Sequence, residues 1–252
     1  MHVTRIGFTP VKGGRHVAHP RAEIGPAGPE GDRVLCLLDP ARDRVLRTVQ
    51  HPALLRTVPT LAGDRLDVEL DGAVVSGPLA PGGEVRKVDY WGRLAEVELL
   101  DGPWNALYAR LTGVDVALAR VVRAGDVVYG GGVSLVTSGS LHALSARVGQ
   151  RVAGERFRPT LVVDTGSLAP GAETSWAGRE VTVGSAVLRV RGAVPRCAVI
   201  DLDPVSGVSD LPVLRALAGY RQGQGEPCFG VDADVVRPGR VTTGDALVLG
   251  RS

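Results

Sequence analysis

The chain is poor in several residue types at once. Its 252 residues include three Phe, three Trp, four Tyr, one Met and three Cys, and Lys12 and Lys87 are the only lysines. Cys36, Cys197 and Cys228 are odd in number and widely spaced, which makes no disulfide framework and suits a reducing compartment. A chain of this length buries a full core without such staples. Three thiols also cannot ligate a four-cysteine iron–sulfur cluster, so any electrons used would come from a partner protein. With two lysines, a pyridoxal-phosphate enzyme would have only Lys12 or Lys87 for its Schiff base. The N-terminal MHVTRIGFTPVKGG holds no apolar stretch of signal-peptide length, and no run of 18 apolar residues follows. A soluble, cytoplasmic protein with no membrane partner is expected. Net charge is +2, without long basic runs or interleaved aromatics, which argues against nucleic acid.

What is abundant is punctuation. Thirty-four Gly and 17 Pro separate short runs of Val, Leu and Arg, the pattern of many short strands joined by turns. In DRLDVELDGAVVSG, alternating Leu66, Val68 and Leu70 run into Asp71-Gly72, a pair suited to a type I′ hairpin turn. RVLCLLD (33–39) is expected to pair with DRVLRTV (43–49). Helices are expected at 103–111, where Trp104, Leu107, Tyr108 and Leu111 share a face, at 138–149, stopped by Gly149, and at 211–220. Strands resume with RPTLVVD, REVTVGSAVLRVRGAV, CAVIDLD and GDALVLG. The pattern alone gives a mixed, β-rich, barrel-like architecture with short peripheral helices.

Several motifs have ordinary readings. VVDTGS (162–167) resembles an aspartic-protease signature, but that chemistry needs two carboxylates sharing a proton and the chain has one copy. Asp164 is read as a strand end and Gly166 as a turn. His16 and His19 lack further ligands at zinc spacing and are read as a solvated loop. The glycines of YGGGV lack the pattern of a P-loop or dinucleotide fingerprint, so they mark a turn or a close backbone approach.

Basic residues at strand borders are more suggestive: Lys12 in PVKGG, Arg33 in GDR and Arg158 in FRPT. Converging cations make an anion or phosphate site. Cys197 stands beside Arg196 at the edge of a valine-rich run. A thiol there is an inert small hydrophobe or, if the guanidinium favours the thiolate, a nucleophile or soft-metal ligand.

In order, PVKG, GDR, a helix, FRPTLVVD, SWAGREVTVG, PRCAVIDLDPVSG, YRQ, FGV and PGRVTTGDAL resemble the MOSC proteins, named for the C-terminal domain of molybdenum cofactor sulfurase, with their N-terminal β-barrel domain. The layout resembles that of the mitochondrial amidoxime-reducing component and its bacterial counterparts. The resemblance implies an N-terminal β-barrel-like domain over 1–105 and a MOSC β-barrel domain over 106–252. It implies a molybdenum-pterin cofactor, with Cys197 as the molybdenum ligand and catalytic residue, and Lys12, Arg33 and Arg158 contacting the cofactor and its phosphate. Arg196 and Thr160, with Gly130 and Gly131, complete the implied cofactor-binding set. Where the family's reductases commonly have Ser after the lysine, Asn after FRP and Thr-Ser before the SL helix, this chain is aligned with Gly13, Thr160 and Gly130-Gly131. Backbone amides and the Thr160 hydroxyl are expected to substitute.

The implied function is reduction of a small N-hydroxylated or N-oxide substrate with electrons from a separate donor protein. A sulfur carrier using a Cys197 persulfide, and a degenerate relative whose cysteine only packs, are the alternatives. Asp203 either positions the cysteine strand, relays a proton or forms a turn. Cys36 is expected in the core, Cys228 packed or near Cys197 as a resolving thiol, and Trp176 and Phe229 in the core or at the substrate opening.

Overall fold

The computed structural model describes residues 1–220 and 225–250, with the backbone of 222 and 223. Arg221 of the YRQ segment lies outside the described residues. The protein is β-rich and is built on two large sheet systems. One is a closed barrel of Ala80–Tyr90, Arg93–Asp101, Ala117–Val121, Leu35–Asp39 and Arg44–Val45. Its interior is filled by Cys36, Leu38, Val88, Val97 and Ala119.

The strand Leu35–Asp39 explains its own unbroken apolar sequence. Period-2 alternation sends Cys36 and Leu38 into the barrel, while Leu35 and Leu37 face a second core with Leu54, Leu66, Trp104 and Tyr108. Burial pushes the Cys36 thiol up to about 12, so it stays protonated and packs as a small hydrophobe.

The other system is a nine-stranded sheet. It runs from Val17–His19 through His2–Phe8, Leu161–Asp164, Val133–Thr137, Glu226–Arg237, Ala186–Pro195 and Glu180–Val183 to Leu247–Leu249, with Gln222–Gly223 pairing onto Glu226–Arg237. The sheet curls until its first long strand meets its last. His2 bridges Ala246, the Leu247 N–H donates to Met1 O at 2.9 Å, and the Val3 N–H donates to Asp245 O at 2.9 Å. Val3, Ile6, Leu135, Val163, Trp176, Leu188 and Val231 fill its concave side.

The expected turns and helices form as their residues dictate. Leu70 pairs with Ala73 across Asp71 and Gly72, both at positive φ (52° and 83°). Helix α1 spans Trp104–Thr112 and buries Trp104, Leu107 and Tyr108. Helix α2 spans Ser138–Val148 between a Thr137 cap and left-handed Gly149. Helix α3 spans Val213–Ala218. None of the helices among the described residues is long and apolar enough to cross a membrane.

One expected strand is corrected. CAVIDLD is a single 3-10 turn, Ala198–Asp201, because the preceding strand ends at Pro195 and only Ile200 of the turn is buried. Asp201 instead accepts the Leu214 N–H at the start of α3, at 2.7 Å.

Chain crossings stitch the two systems together. After Phe8 the chain leaves the large sheet and runs beside the barrel: Val11 bridges Leu35, the Lys12 N–H donates to Leu35 O at 2.8 Å, and the Arg33 N–H donates to Thr9 O at 2.8 Å. Helix α1, which straddles residue 105, and Ala117–Val121 beyond it pack with the barrel side, whereas His2–Phe8 belongs to the large sheet. Lys12 and Arg33 therefore lie on the seam.

Candidate functional site

A cavity of about 410 Å³ opens at that seam. The barrel side contributes Arg33, Leu46 to Val49, Tyr90 and Trp91, and the large sheet contributes Ser134, Phe157, Arg158, Val194 to Cys197 and Asp232. Five of the eight site residues expected from the sequence, Lys12, Arg33, Arg158, Arg196 and Cys197, line this one space. They come from four separate segments, Arg196 and Cys197 being neighbours in the chain.

Its electrostatics are dominated by cations. Lys12 is half-buried, and its ammonium is driven down to about 7, first by desolvation and then by the Arg33 and Arg158 charges. Arg158 is lowered by burial and by Arg33. One carboxylate, Asp32, offsets these cations. It pairs with Arg33 at 3.3 Å and accepts the Thr9 N–H at 3.1 Å. Arg158 Nη1 is buried without a hydrogen-bond partner among the described residues, a group that normally costs free energy unless something satisfies it. Arg33 and Arg158 both sit at φ 49°, in the left-handed region that side chains larger than glycine seldom adopt. Such strain persists where the surroundings over-determine it, as at ligand sites.

Cys197 is exposed and follows Pro195, whose strand pairs with Cys228 on the neighbouring strand. Arg196 does not reach across the cavity. Its Nε and Nη2 donate to Phe229 O at 2.9 and 2.7 Å and its Nη1 to Phe157 O at 2.9 Å. It is a bracket that ties the thiol-bearing turn to two neighbouring segments. Arg156 adds a second bracket by donating to both Asp210 carboxylate oxygens, at 2.7 and 2.5 Å, and to Leu202 O at 2.9 Å.

The remaining expected residues sit one layer back. Thr160 is buried and exchanges hydrogen bonds with Ser134, its N–H donating to Ser134 Oγ and its Oγ1 accepting the Ser134 N–H, both at 3.1 Å. Ser134 lines the cavity in its place. Gly130 and Gly131 do not line it. Their backbone approaches Asp232 and Ala233 closely, and the Gly131 N–H donates to Asp232 Oδ2 at 2.6 Å. The expected Thr-Ser position also needs correction. The pair that opens the helix carrying Ser140 and Leu141 is Thr137-Ser138, with Thr137 as the helix cap and Ser138, the first helical residue, donating to Asp164 at 3.0 Å. Gly130-Gly131 precede the strand before it. Gly13, at φ 97°, packs against Leu54.

His16 is corrected as well. It is buried, not solvated, and desolvation together with Arg158, Arg33 and Arg5 holds it well below the usual histidine range. Among the described residues, no three His, Cys, Asp or Glu side chains cluster as a metal site. Asp203 forms a turn, accepting the Val205 and Ser206 N–H groups at 3.1 and 2.7 Å. Cys228, Trp176 and Phe229 are buried away from the cavity wall, Phe229 stacking on Phe157 at 4.2 Å. The residues missed by sequence reading are Asp32, Arg47, Tyr90, Trp91, Tyr129 and Asp232. Of these, only Trp91 carried a signal, a large aromatic beside Gly92 in a hairpin turn.

Fold and site together define a β-rich protein with a cationic, thiol-bearing cavity between a barrel and a curled sheet. Residues 130–248 match the MOSC domain, and this part of the chain is a MOSC domain. It is 31% identical over 124 residues to mitochondrial amidoxime-reducing component 1 of Mus musculus, covering 46% of this chain and 35% of that protein. The human counterpart is 30% identical over 124 residues, covering 46% and 36%. Mitochondrial amidoxime reducing component 2 of Macaca fascicularis is 33% identical over 122 residues, covering 45% and 35%. These matches thus span about a third of the relatives' own length. Among solved structures, the YuaD protein from Bacillus subtilis aligns at TM-score 0.47 and 13% identity, covering 98% of this chain and 94% of that one.

Proposed function

We propose that this protein binds a molybdenum-pterin cofactor in the seam cavity and reduces N-hydroxylated substrates, with Cys197 as the metal ligand. The observation that carries the reading is the buried, unpartnered Nη1 of Arg158 among Lys12 and Arg33, on the same cavity as an exposed thiol. A multiply charged anion satisfies those cations, and a phosphate-bearing pterin dithiolene is such an anion. A lone thiolate is too few ligands for a bare ion, so a metal at Cys197 would bring its other ligands with it. When bound, the cofactor supplies the two-electron chemistry that N–O reduction requires.

The chain's own groups divide the remaining work. Lys12, Arg33 and Arg158 hold the anionic part, and Asp32 orients Arg33. Arg196 and Arg156 fix the Cys197 turn. An amidoxime, two electrons and two protons give an amidine and water, the electrons arriving from a separate donor protein. The relatives' names, amidoxime-reducing components, support this substrate class. A persulfide carrier would need the thiol but not three converging cations.

The test is molybdenum analysis of protein from a host that makes the cofactor, alongside Cys197→Ser. Near-stoichiometric metal that falls sharply in the variant is expected. Intact protein without metal, from a host that loads a control molybdoenzyme, would overturn the reading, and labile sulfur on Cys197 would then support the persulfide carrier.

A further inference from the structure

Tyr90 and Arg93 pair across a two-residue turn, Trp91 at φ 55° and Gly92 at φ 77°. That is the type I′ geometry, which favours Asn, Asp or Gly at its first central position. A tryptophan there costs about 1–2 kcal/mol in left-handed backbone strain. Hairpin formation does not need the indole, and the indole is not in a core: Trp91 is 45% exposed, whereas Trp104 and Trp176 are 0% and 2% exposed.

Neighbouring groups hold the ring at the cavity. The Arg47 guanidinium lies 4.1 Å over its centroid, and Tyr129, 57% exposed, meets it edge-on at 6.4 Å. Arg47 is itself held by Asp89 at 3.9 Å, and Arg93 donates to Val128 O at 2.8 Å, tying the Tyr129 segment to the hairpin. Trp91, Tyr129 and Arg47 all line the cavity that also holds the half-buried Lys12 and Arg158. The lining therefore changes from half-buried cations to an exposed aromatic ledge.

We propose that Trp91, backed by Arg47 and braced by Tyr129, is a stacking platform that selects flat aryl substrates over aliphatic ones. The inference rests on the reductase reading for its turnover assay but not for its binding assay. An aryl ring stacked on indole gains burial plus oriented ring contact, which an alkyl group of similar reactivity does not match.

The test compares benzamidoxime with acetamidoxime on the holoenzyme for wild type, Trp91→Phe and Trp91→Gly. Trp91→Gly should lower kcat/KM for benzamidoxime about tenfold, through KM, and leave acetamidoxime within twofold, since about 1.4 kcal/mol of lost stacking is tenfold. Trp91→Phe should retain most of the preference. Because Trp91 is the exposed tryptophan, benzamidoxime should also saturably quench emission of the wild type, and acetamidoxime should not. This readout needs no turnover: saturable quenching in a protein that reduces neither compound would sink the reductase reading and keep the platform. Equal loss for both substrates would point to a docking face for the electron donor, and it would overturn the platform, as would unchanged selectivity or absence of saturable quenching.

Discussion

Lys12 shows what a cationic cavity costs the fold. Its unfolded value is 10.5 and its folded value is about 7, so between these the unfolded chain holds a proton the folded chain has released. Stability contributed by this site therefore rises with pH across that window, and the penalty for a buried charge is complete below it. Lys12→Met should stabilise the ligand-free protein at pH 6, with the advantage shrinking toward zero near pH 10; melting curves of both proteins across that range check the sign. A bound anion needs the charged amine, so stabilisation of the wild type by phosphate should weaken above pH 7. Arg158 makes the same point through backbone and burial. Arg158→Gly removes a left-handed arginine and an unpartnered buried guanidinium, at the cost of glycine's added chain entropy. The ligand-free variant should melt no lower than wild type while losing the phosphate-induced rise in Tm. A large drop in its ligand-free Tm would show that the side chain serves the fold and not the ligand.

The element that matters most is the turn Ala198–Asp201 with Cys197 at its head. Its sequence reads as strand because Val199, Ile200 and Leu202 are strand formers, yet propensity loses to tertiary context: Pro195 ends the ladder and two arginines capture the chain beyond it. Arg196→Gln should destabilise by about 3 kcal/mol, because buried carbonyls of Phe157 and Phe229 lose charged donors. Urea unfolding measures this, and alkylation of Cys197 should accelerate as its turn loosens. Arg196 thus fills a different place from the one its neighbour suggested, since adjacency in sequence gives no direction to a side chain. The hairpin at Asp71-Gly72, the caps of α2 and the packed strand around Cys36 were legible because their determinants are local and periodic. Lys12, Arg33, Arg158 and Cys197 were legible through ordered motifs. Trp91, Tyr129 and Asp32 were not, because which segments meet across the seam depends on pairings between strands far apart in sequence.

At the scale of the whole molecule, the MOSC match over residues 130–248 omits a strand its own sheet uses. His2–Phe8 is not an edge strand. It lies between Val17–His19 and Leu161–Asp164, it places Val3 and Ile6 in the concave core, and its Met1 and Val3 backbone bonds with Asp245 and Leu247 join the ends of the curled sheet. A fragment of residues 130–252 would expose the Leu161–Asp164 backbone and leave two gaps in that core, an unpaired apolar edge of the kind that aggregates. It should therefore lack near-UV circular dichroism and bind ANS strongly, and adding residues 1–8 through a flexible linker should restore part of the tertiary signal. The same strand carries the chain directly into Lys12, whose backbone hydrogen bond to Leu35 joins sheet to barrel. Sheet closure and the cationic end of the cavity then form in one cooperative step, so phosphate should raise a single unfolding transition in the full chain. Two calorimetric transitions, with only one moved by phosphate, would instead mean that barrel and sheet fold independently and that the seam forms after both.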